Sequence, residues 1–289
     1  MSDGETQDVF GPAAVVADFE ARARRYETAC GDGVMAWRAW GSGPPLVLFH
    51  GAHGAWSHWI RNIDALAAHR TVWACDLPGL GESAVPADPH SGEGFAAVLE
   101  HGLKELLGPD LPVDIVGFSF GGVLGAHLAA NYPQIVRRLI LVDTGGLAPP
   151  NPPTMTRVSG LKGEERRAAQ TANILALLLH RRENVDEMAL HLQAINPWRA
   201  RVDAGPLVLP DKLSGVLPHV RVQVDAIWGE FDQPHPNPAA QAAVLRSFHP
   251  DADFRVIPDA GHMSMYEGGE AFNKVVLELL DQPLRPPRG

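Results

Sequence analysis

The feature that most restricts how this chain can fold is an alternation of short apolar runs with helix-forming segments. Pro45–Phe49 is continuously apolar and follows the turn residues Gly41-Ser42-Gly43-Pro44. A run of this length, bounded by turn residues, is the pattern of a strand buried on both faces, as in a parallel sheet. The pattern then repeats. Trp59–His69 reads as helix, Thr71–Cys75 as strand, Gly94–Leu107 as helix, Val113–Val116 as strand, Gly121–Asn131 as helix and Leu139–Val142 as strand. Strands that alternate with helices predict an α/β architecture, a mostly parallel sheet with helices on both faces. Ahead of this block, Tyr26–Cys30 and Val34–Trp40 flank Gly31-Asp32-Gly33, which predicts a β-hairpin. Pro12–Arg25 reads as a short N-terminal helix.

The alternation stops near Gly145. A proline-rich entry (Pro149, Pro150, Pro152, Pro153) leads into helical segments Glu164–His180 and Val185–Ile195, with no clear strand before Val220. Alternation resumes with strand Val222–Trp228, helix Ala239–Phe248, strand Phe254–Ile257 and helix Phe272–Leu280. The expected organisation is therefore one α/β core, residues 1–144 and 221–289, with a helical insertion at 145–220. The tail Pro283–Gly289 is proline-rich and expected to be loose.

Composition narrows the class. Of 289 residues 45% are hydrophobic, enough for a sizeable core, and the formal net charge is −10. An acidic chain gains nothing from phosphate backbones, so no nucleic-acid partner is expected. No apolar stretch approaches the ~18–20 residues that cross a bilayer, so no membrane partner is expected. Met1–Asp8 is polar and acidic and carries no secretory pattern. The two cysteines, Cys30 and Cys75, do not make a disulfide framework, and Cys75 lies inside an apolar run. These features fit a cytoplasmic protein.

Four short segments carry candidate chemistry, each directly after a strand. Gly117-Phe118-Ser119-Phe120-Gly121-Gly122 stands between a strand and an Ala/Leu-rich helix. Such a tight turn lifts the Ser119 hydroxyl above the sheet edge and needs glycine on either side, where a Cβ would clash. It also sets Ser119 at a helix N-terminus, which favours developing negative charge. The bland alternative is an ordinary glycine-flanked helix cap. His50-Gly51-Ala52-His53-Gly54 follows the strand at Phe49, and the Ala52 and Phe120 N–H groups are candidates for an oxyanion hole. His50 reads as a structural imidazole. His50, His53 and His58 match no compact zinc spacing, so no metal is expected. Asp259-Ala260-Gly261-His262 makes His262 the candidate general base among 13 histidines. Ile227-Trp228-Gly229-Glu230-Phe231-Asp232 supplies Asp232 as the carboxylate that would orient it. Glu230 is a nearby alternative and Asp143, at the end of its own strand, a competitor.

The order Ser119, Asp232, His262 in these contexts resembles the α/β-hydrolase family, over roughly Tyr26 to Leu280. Asp76-Leu77-Pro78-Gly79-Leu80-Gly81-Glu82-Ser83 is similar to a loop of that family that is structural. The resemblance implies an eight-stranded sheet, a helical cap made by 145–220, and an acyl-enzyme formed on Ser119 without a cofactor. Serine at the nucleophile position argues against haloalkane dehalogenases and epoxide hydrolases, which use Asp there. Within the family the chain resembles the capped subgroup that holds meta-cleavage-product hydrolases. It departs from them at Phe118, where they carry Asn, and at Met263, where they carry Trp. A small-molecule carboxylic ester is therefore the expected substrate. Carbon–carbon bond hydrolysis, acyl transfer or perhydrolysis, and non-catalytic ligand binding are the alternatives. Phe118, Trp56 and Met263 are candidate pocket residues, with Met265. Arg199 and Arg201 are candidates to bind a substrate carboxylate, or else a solvated face. Capped hydrolases are often dimers, and a homodimer is compatible with the sequence.

Overall fold

A two-residue turn, Gly31-Asp32, closes the first hairpin in the computed structural model, which describes residues 11–151 and 153–285. The opening Met1–Asp8, Pro152 and the last four residues of the Pro283–Gly289 tail lie outside the described residues. Gly31 takes a positive φ of +53°, and a Cβ there would stand 2.2 Å from the Val85 carbonyl oxygen, so the turn requires glycine.

The strands are Arg24–Cys30 (β1), Gly33–Trp40 (β2), Pro45–Phe49 (β3), Thr71–Cys75 (β4), Val113–Phe118 (β5), Val136–Val142 (β6), Gln223–Gly229 (β7) and Phe254–Ile257 (β8). The helices are Pro12–Arg22 (α1), Ile63–Ala67 (α2), Gly92–Leu107 (α3), Phe120–Asn131 (α4), Gly163–Leu177 (α5), Glu187–Ile195 (α6), Gly205–Val208 (α7), Lys212–Val216 (α8), Pro238–Phe248 (α9), Ser264–Glu267 (α10) and Gly269–Asp281 (α11). The helix expected at Trp59–His69 is a 3-10 turn at Trp56–Trp59 followed by the short α2. None of the helices among the described residues is long and apolar enough to cross a membrane.

One eight-stranded sheet runs in the order β1-β2-β4-β3-β5-β6-β7-β8. β2 is antiparallel to β1 and to β4, and every pairing from β4 to β8 is parallel. This is the α/β-hydrolase arrangement that the sequence resemblance implied. β3 is apolar throughout because both its faces are covered, whereas β5, β6, β7 and β8 carry charged residues (Asp114, Arg137, Arg138, Asp225, Arg255) within their first three positions. Along β3, Val47 and Phe49 join the apolar cluster under α3 and α4, while Leu46 and Leu48 join the cluster under α1, α2 and α11. Along β5, Ile115 faces the first cluster and Val116 and Phe118 the second. Each fully buried Leu, Val or Phe contributes about 1.5–3 kcal/mol of transfer free energy.

The topology itself selects a place for chemistry. From β3 the chain steps to β4 on one side, then returns to lay β5 on the other side of β3. The connections after β3 and β5 leave the sheet in opposite directions, and a crevice opens between them at the carboxyl ends of the strands. The His50–Gly54 loop and Ser119 are the first residues beyond those two ends.

The segment between β6 and β7 contributes no strand and holds α5 to α8. It divides in its packing. Ile174 of α5 and Leu190 and Leu192 of α6 join the α11-side cluster, whereas Leu207 of α7 and Leu213 of α8 join the α4-side cluster.

Candidate active site

Ser119 sits in a backbone conformation that only a tight turn would impose. It has φ +50° and ψ −116°, caps α4, and donates its N–H to the Val142 carbonyl at 2.8 Å. Such angles are unfavourable for an L-residue by about 1–3 kcal/mol and persist where the surroundings over-determine them. The flanking glycines supply that constraint. A Cβ on Gly117 would stand 2.6 Å from the Gly121 carbonyl oxygen and the Gly122 Cα, and one on Gly121 would stand 2.4 Å from the Phe49 carbonyl oxygen.

His262 follows β8 and turns its ring toward the serine, with Nε2 3.2 Å from Ser119 Oγ. On its other side, Nδ1 lies 3.2 Å from both Asp232 carboxylate oxygens. Asp232 is buried, and burial alone would push its carboxyl up. The facing His262 and hydrogen bonds from His235 and His262 instead hold it below the usual carboxylate range. An ionised carboxylate on Nδ1 places the imidazole proton there and leaves Nε2 as an acceptor for the serine hydroxyl.

The competitor Asp143 is engaged elsewhere. It ends β6 with a positive φ of +44°. Its carboxylate accepts the Gly229 N–H at 2.6 Å and the Ser264 hydroxyl at 2.5 Å, tying the end of β7 to the turn after His262. Burial, reinforced by the charge of Asp232, pushes the Asp143 carboxyl well above the usual range. Glu230 accepts the Asp259 N–H at 3.0 Å from an exposed position.

The loop after β3 lies against the serine turn. A Cβ on Gly51 would stand 2.7 Å from the Phe118 ring and 3.3 Å from Ser119 Cβ. The Ala52 and Phe120 N–H groups have no acceptor among the described residues. His50 is structural in its contacts: its Nδ1–H donates to the Gly51 carbonyl at 2.8 Å, and its Nε2 accepts the Leu77 N–H at 2.9 Å. Burial keeps it neutral by lowering its pKa. The Asp76–Ser83 loop is likewise a brace. Asp76 accepts the Trp56 N–H at 2.8 Å and the Glu82 N–H at 3.0 Å, and a Cβ on Gly81 would stand 2.4 Å from the Asp76 carboxyl carbon.

The candidate pocket residues separate. Phe118 walls the site, its ring 5.0 Å from that of His262. Met263 donates its N–H to the Leu178 carbonyl at 2.8 Å and, with Ile174, Leu192 and Tyr266, lines a narrow apolar pocket beneath α5 and α6. Ile174 and Gln193 continue from that pocket into a groove of about 440 Å³. Trp56 does not reach the site. It packs in the core on Trp40, 5.4 Å between rings, with the Arg38 guanidinium 5.3 Å from its centroid. Arg201 is also not a free ligand, because its guanidinium bonds the Gly81 and Ser83 carbonyls. Arg199 is exposed at the end of a 3-10 turn and makes no contact with Ser119 or His262 among the described residues. A larger cavity, about 710 Å³, lies at the opposite end of the sheet beside Pro112, Val136 and Gln223, where the strands begin. Ligands of open α/β sheets bind at the other end.

Two residues not singled out in the sequence join the site. His235, three positions after Asp232, donates its N–H to Asp232 Oδ1 at 3.1 Å, and its Nδ1 lies 3.4 Å from Oδ2. Glu267 accepts the Gly261 N–H at 2.7 Å, the His180 N–H at 2.8 Å, the Arg181 N–H at 2.7 Å and the Asn184 side-chain amide at 3.0 Å. The sequence signal for His235 is a histidine in the turn that Asp232 opens. For Glu267 the local sequence carries none.

Comparison with known proteins follows the same line. A family model described as alpha/beta hydrolase fold matches residues 44–269. The chain is 28% identical over 299 residues to a dihydrolipoyllysine-residue acetyltransferase component of an acetoin cleaving system from Pseudomonas putida, covering 97% of this chain and 72% of the relative. It is 29% identical over 261 residues to a 2-hydroxy-6-oxo-6-phenylhexa-2,4-dienoate hydrolase from Burkholderia cepacia, covering 83% of this chain and 88% of the relative. Among solved structures it resembles a naproxen esterase from Bacillus subtilis, with a TM-score of 0.73 at 18% identity, over 96% of this chain and 100% of that one.

Proposed function

Because the chain belongs to the alpha/beta hydrolase fold family, we propose that it is a serine hydrolase acting on a carboxylic ester through an acyl-enzyme on Ser119. The observation that carries this reading is the continuous hydrogen-bonded line from Ser119 Oγ through His262 to Asp232, at 3.2 Å on each side of the imidazole. In the reaction, His262 Nε2 takes the proton of Ser119 as Oγ attacks the ester carbonyl. The Phe120 and Ala52 N–H groups hold the oxyanion; removing one such donor typically costs about 2.7–4 kcal/mol of transition-state stabilisation. His262 then returns its proton to the leaving alcohol. Water, deprotonated by the same imidazole, releases the acid. In this reading residues 145–220 form a cap, and the apolar wall of Phe118 and Met263 favours an apolar acyl or alcohol group.

Carbon–carbon bond hydrolysis is the second reading. It is supported by the likeness to the dienoate hydrolase from Burkholderia cepacia, and opposed by Phe118 beside the serine, a ring that cannot hydrogen-bond a dienoate oxygen. Asp232 and His262 pointing away from Ser119 would have favoured a non-catalytic binding role; the 3.2 Å approach of His262 Nε2 to Ser119 Oγ supports the catalytic reading instead.

The test is a fluorophosphonate probe and a panel of p-nitrophenyl esters, applied to the protein and to Ser119→Ala. Labelling and turnover that vanish in the variant support the ester reading. Labelling without ester turnover moves the assignment to dienoates, or to acyl transfer detected with an added alcohol. Absence of labelling removes the serine from the mechanism.

A further inference from the structure

Asp232 serves two imidazoles, and the reaction proposed above uses one of them. His262 Nδ1 is 3.2 Å from each carboxylate oxygen and His235 Nδ1 is 3.4 Å from Oδ2. One ligand atom from each of the three side chains lies within 4.8 Å of the other two, and all three residues are buried. The two rings stand with centroids 5.3 Å apart. A tetrahedral zinc ion with bonds of about 2.0–2.1 Å holds its donors roughly 3.3 Å apart. The carboxylate-to-imidazole separations already have that spacing. Two imidazole nitrogens and one carboxylate oxygen are, moreover, a donor set that zinc accepts, with a fourth position left for water.

We propose that Asp232, His235 and His262 form a binding site for a zinc-class divalent cation, and that filling it reversibly shuts off the Ser119 centre. The second half rests on the serine-hydrolase reading; the first does not. The chemistry of closure is a change of tautomer. The cation takes the Nδ1 lone pair of each ring, so the single proton of each neutral imidazole moves through solvent from Nδ1 to Nε2. No proton is gained or lost and nothing is oxidised. His262 Nε2 then carries hydrogen and donates where it must accept, so it cannot take the Ser119 proton. Asp232 is drawn from His262 to the metal at the same time.

Binding is measured first on the full chain carrying Ser119→Ala, by titrating Zn²⁺ against a chromophoric chelator. One equivalent is expected to bind at micromolar concentration or below, and His235→Asn in the same background is expected to weaken it at least tenfold. Co²⁺ is expected to give the intense visible absorption of a tetrahedral site. No binding, or binding that His235→Asn leaves unchanged, overturns the site and assigns the ion to other histidines. Should His235→Asn not fold, Asp232→Asn reads the same cluster in the same titration. Inhibition is measured separately, with the ester that the protein turns over best. Zn²⁺ is expected to abolish turnover and a chelator to restore it, and the Zn²⁺ concentration that halves turnover, scaled to each protein's own metal-free rate, is expected to be at least tenfold higher for His235→Asn. Binding at the site without inhibition overturns the switch and leaves the site standing. If the protein turns over no ester and takes no fluorophosphonate label, the serine-hydrolase reading fails while the chelator titration still decides the site.

Discussion

Glu267 accepts the Gly261 N–H at 2.7 Å, one residue ahead of His262. The same carboxylate receives the His180 and Arg181 amides from the segment after α5, at 2.8 and 2.7 Å. The turn that presents the imidazole and the segment after α5 that packs against it are thus held by one side chain. Contact is close enough that a Cβ on Gly261 would stand 2.7 Å from the His180 nitrogen. Positioning of His262 and packing of the insertion are in this way a single structural problem.

Removing that carboxylate should disturb both. Glu267→Ala leaves three backbone amides and the Asn184 side chain without their acceptor, and each unpaired group is unfavourable by about 1–3 kcal/mol where water cannot replace it. Water reaches part of this site, so a loss of about 3 kcal/mol in unfolding free energy is expected by urea titration. Ester turnover should fall by roughly tenfold or more, because a small misplacement of the base is expensive in rate. An unchanged urea midpoint would show that the staple does not hold the insertion.

The two buried aspartates should answer differently to the same isosteric change. Asp232 is held ionised by His262 and His235, and Asp232→Asn presents an amide that favours the wrong imidazole tautomer, with an expected loss of about 10⁴ in kcat. Asp143 is pushed toward its neutral form by burial and by Asp232. Asparagine keeps the acceptor for the Gly229 N–H and can donate to the Ser264 hydroxyl, losing only the longer 3.3 Å bond from the Ser264 N–H. Asp143→Asn should therefore keep ester kcat/KM within about tenfold. Equal losses in the two variants would make Asp143 part of the machinery.

The acid limb of stability should carry a signature of His58. This imidazole is wholly buried, neither ring nitrogen has a hydrogen-bond partner among the described residues, and burial, aided by the neighbouring histidines, lowers its pKa to about 3. The unfolded chain protonates it near pH 6.5, so between pH 6.5 and 3 the unfolded state holds more protons and stability falls as pH falls. Over the step from pH 6.5 to 4.5 the expected loss from this residue is about 2 kcal/mol. His58→Phe removes that contribution, and the difference between unfolding free energies at the two pH values should shrink by that amount relative to wild type. A difference of unchanged size would mean that His58 is protonated in the folded protein.

How far the site was legible depended on whether position in the chain or position in space carried the information. Ser119, Asp232 and His262 each stand directly after a strand, and a parallel sheet delivers all its strand ends to one edge, so local sequence sufficed to bring them into one group. His235 escaped because one histidine among 13 has no local mark beyond its turn with Asp232. Glu267 escaped because its partners at 180, 181 and 184 meet it only after the insertion has folded back. Trp56 fits either a pocket or the core by sequence, since an aromatic near a strand end serves both; it turns inward onto Trp40, its backbone N–H held by the Asp76 carboxylate. Arg201 could by sequence bind a substrate carboxylate or lie on a solvated face; its guanidinium instead bonds carbonyls of the Asp76–Ser83 loop, which no helical or strand period could reveal. The short helices α7 and α8 went unread for a related reason. Four or five residues hold no period, and what orders them is contact with α4.

Glycine substitutions offer a test of the serine turn in which two changes of identical chemistry have opposite signs. Gly121 lies in the first turn of α4, after the turn where β5 ends, and a Cβ there meets backbone at the end of β3, the Phe49 carbonyl oxygen at 2.4 Å and that of His50 at 2.6 Å. Backbone atoms of a central strand cannot step aside as a side chain would, so Gly121→Ala should lower unfolding free energy by about 3 kcal/mol. It should also move the His50–Gly54 loop away from Ser119, separating the two amides assigned to the oxyanion and lowering kcat more than it raises KM. Gly215 lies within α8 with nothing inside 4 Å of a built Cβ and no positive φ. There alanine only restricts the unfolded chain and favours the helix, and a gain of about 0.5–1 kcal/mol is expected, with turnover unchanged. Urea titration of the pair, read beside ester kinetics, separates a requirement of the serine turn from a general preference for alanine over glycine. Loss of stability at both positions would show that α8 does not tolerate the added methyl, while stability retained at Gly121 would mean that the loop after β3 can give way and that the turn is less constrained than its geometry implies.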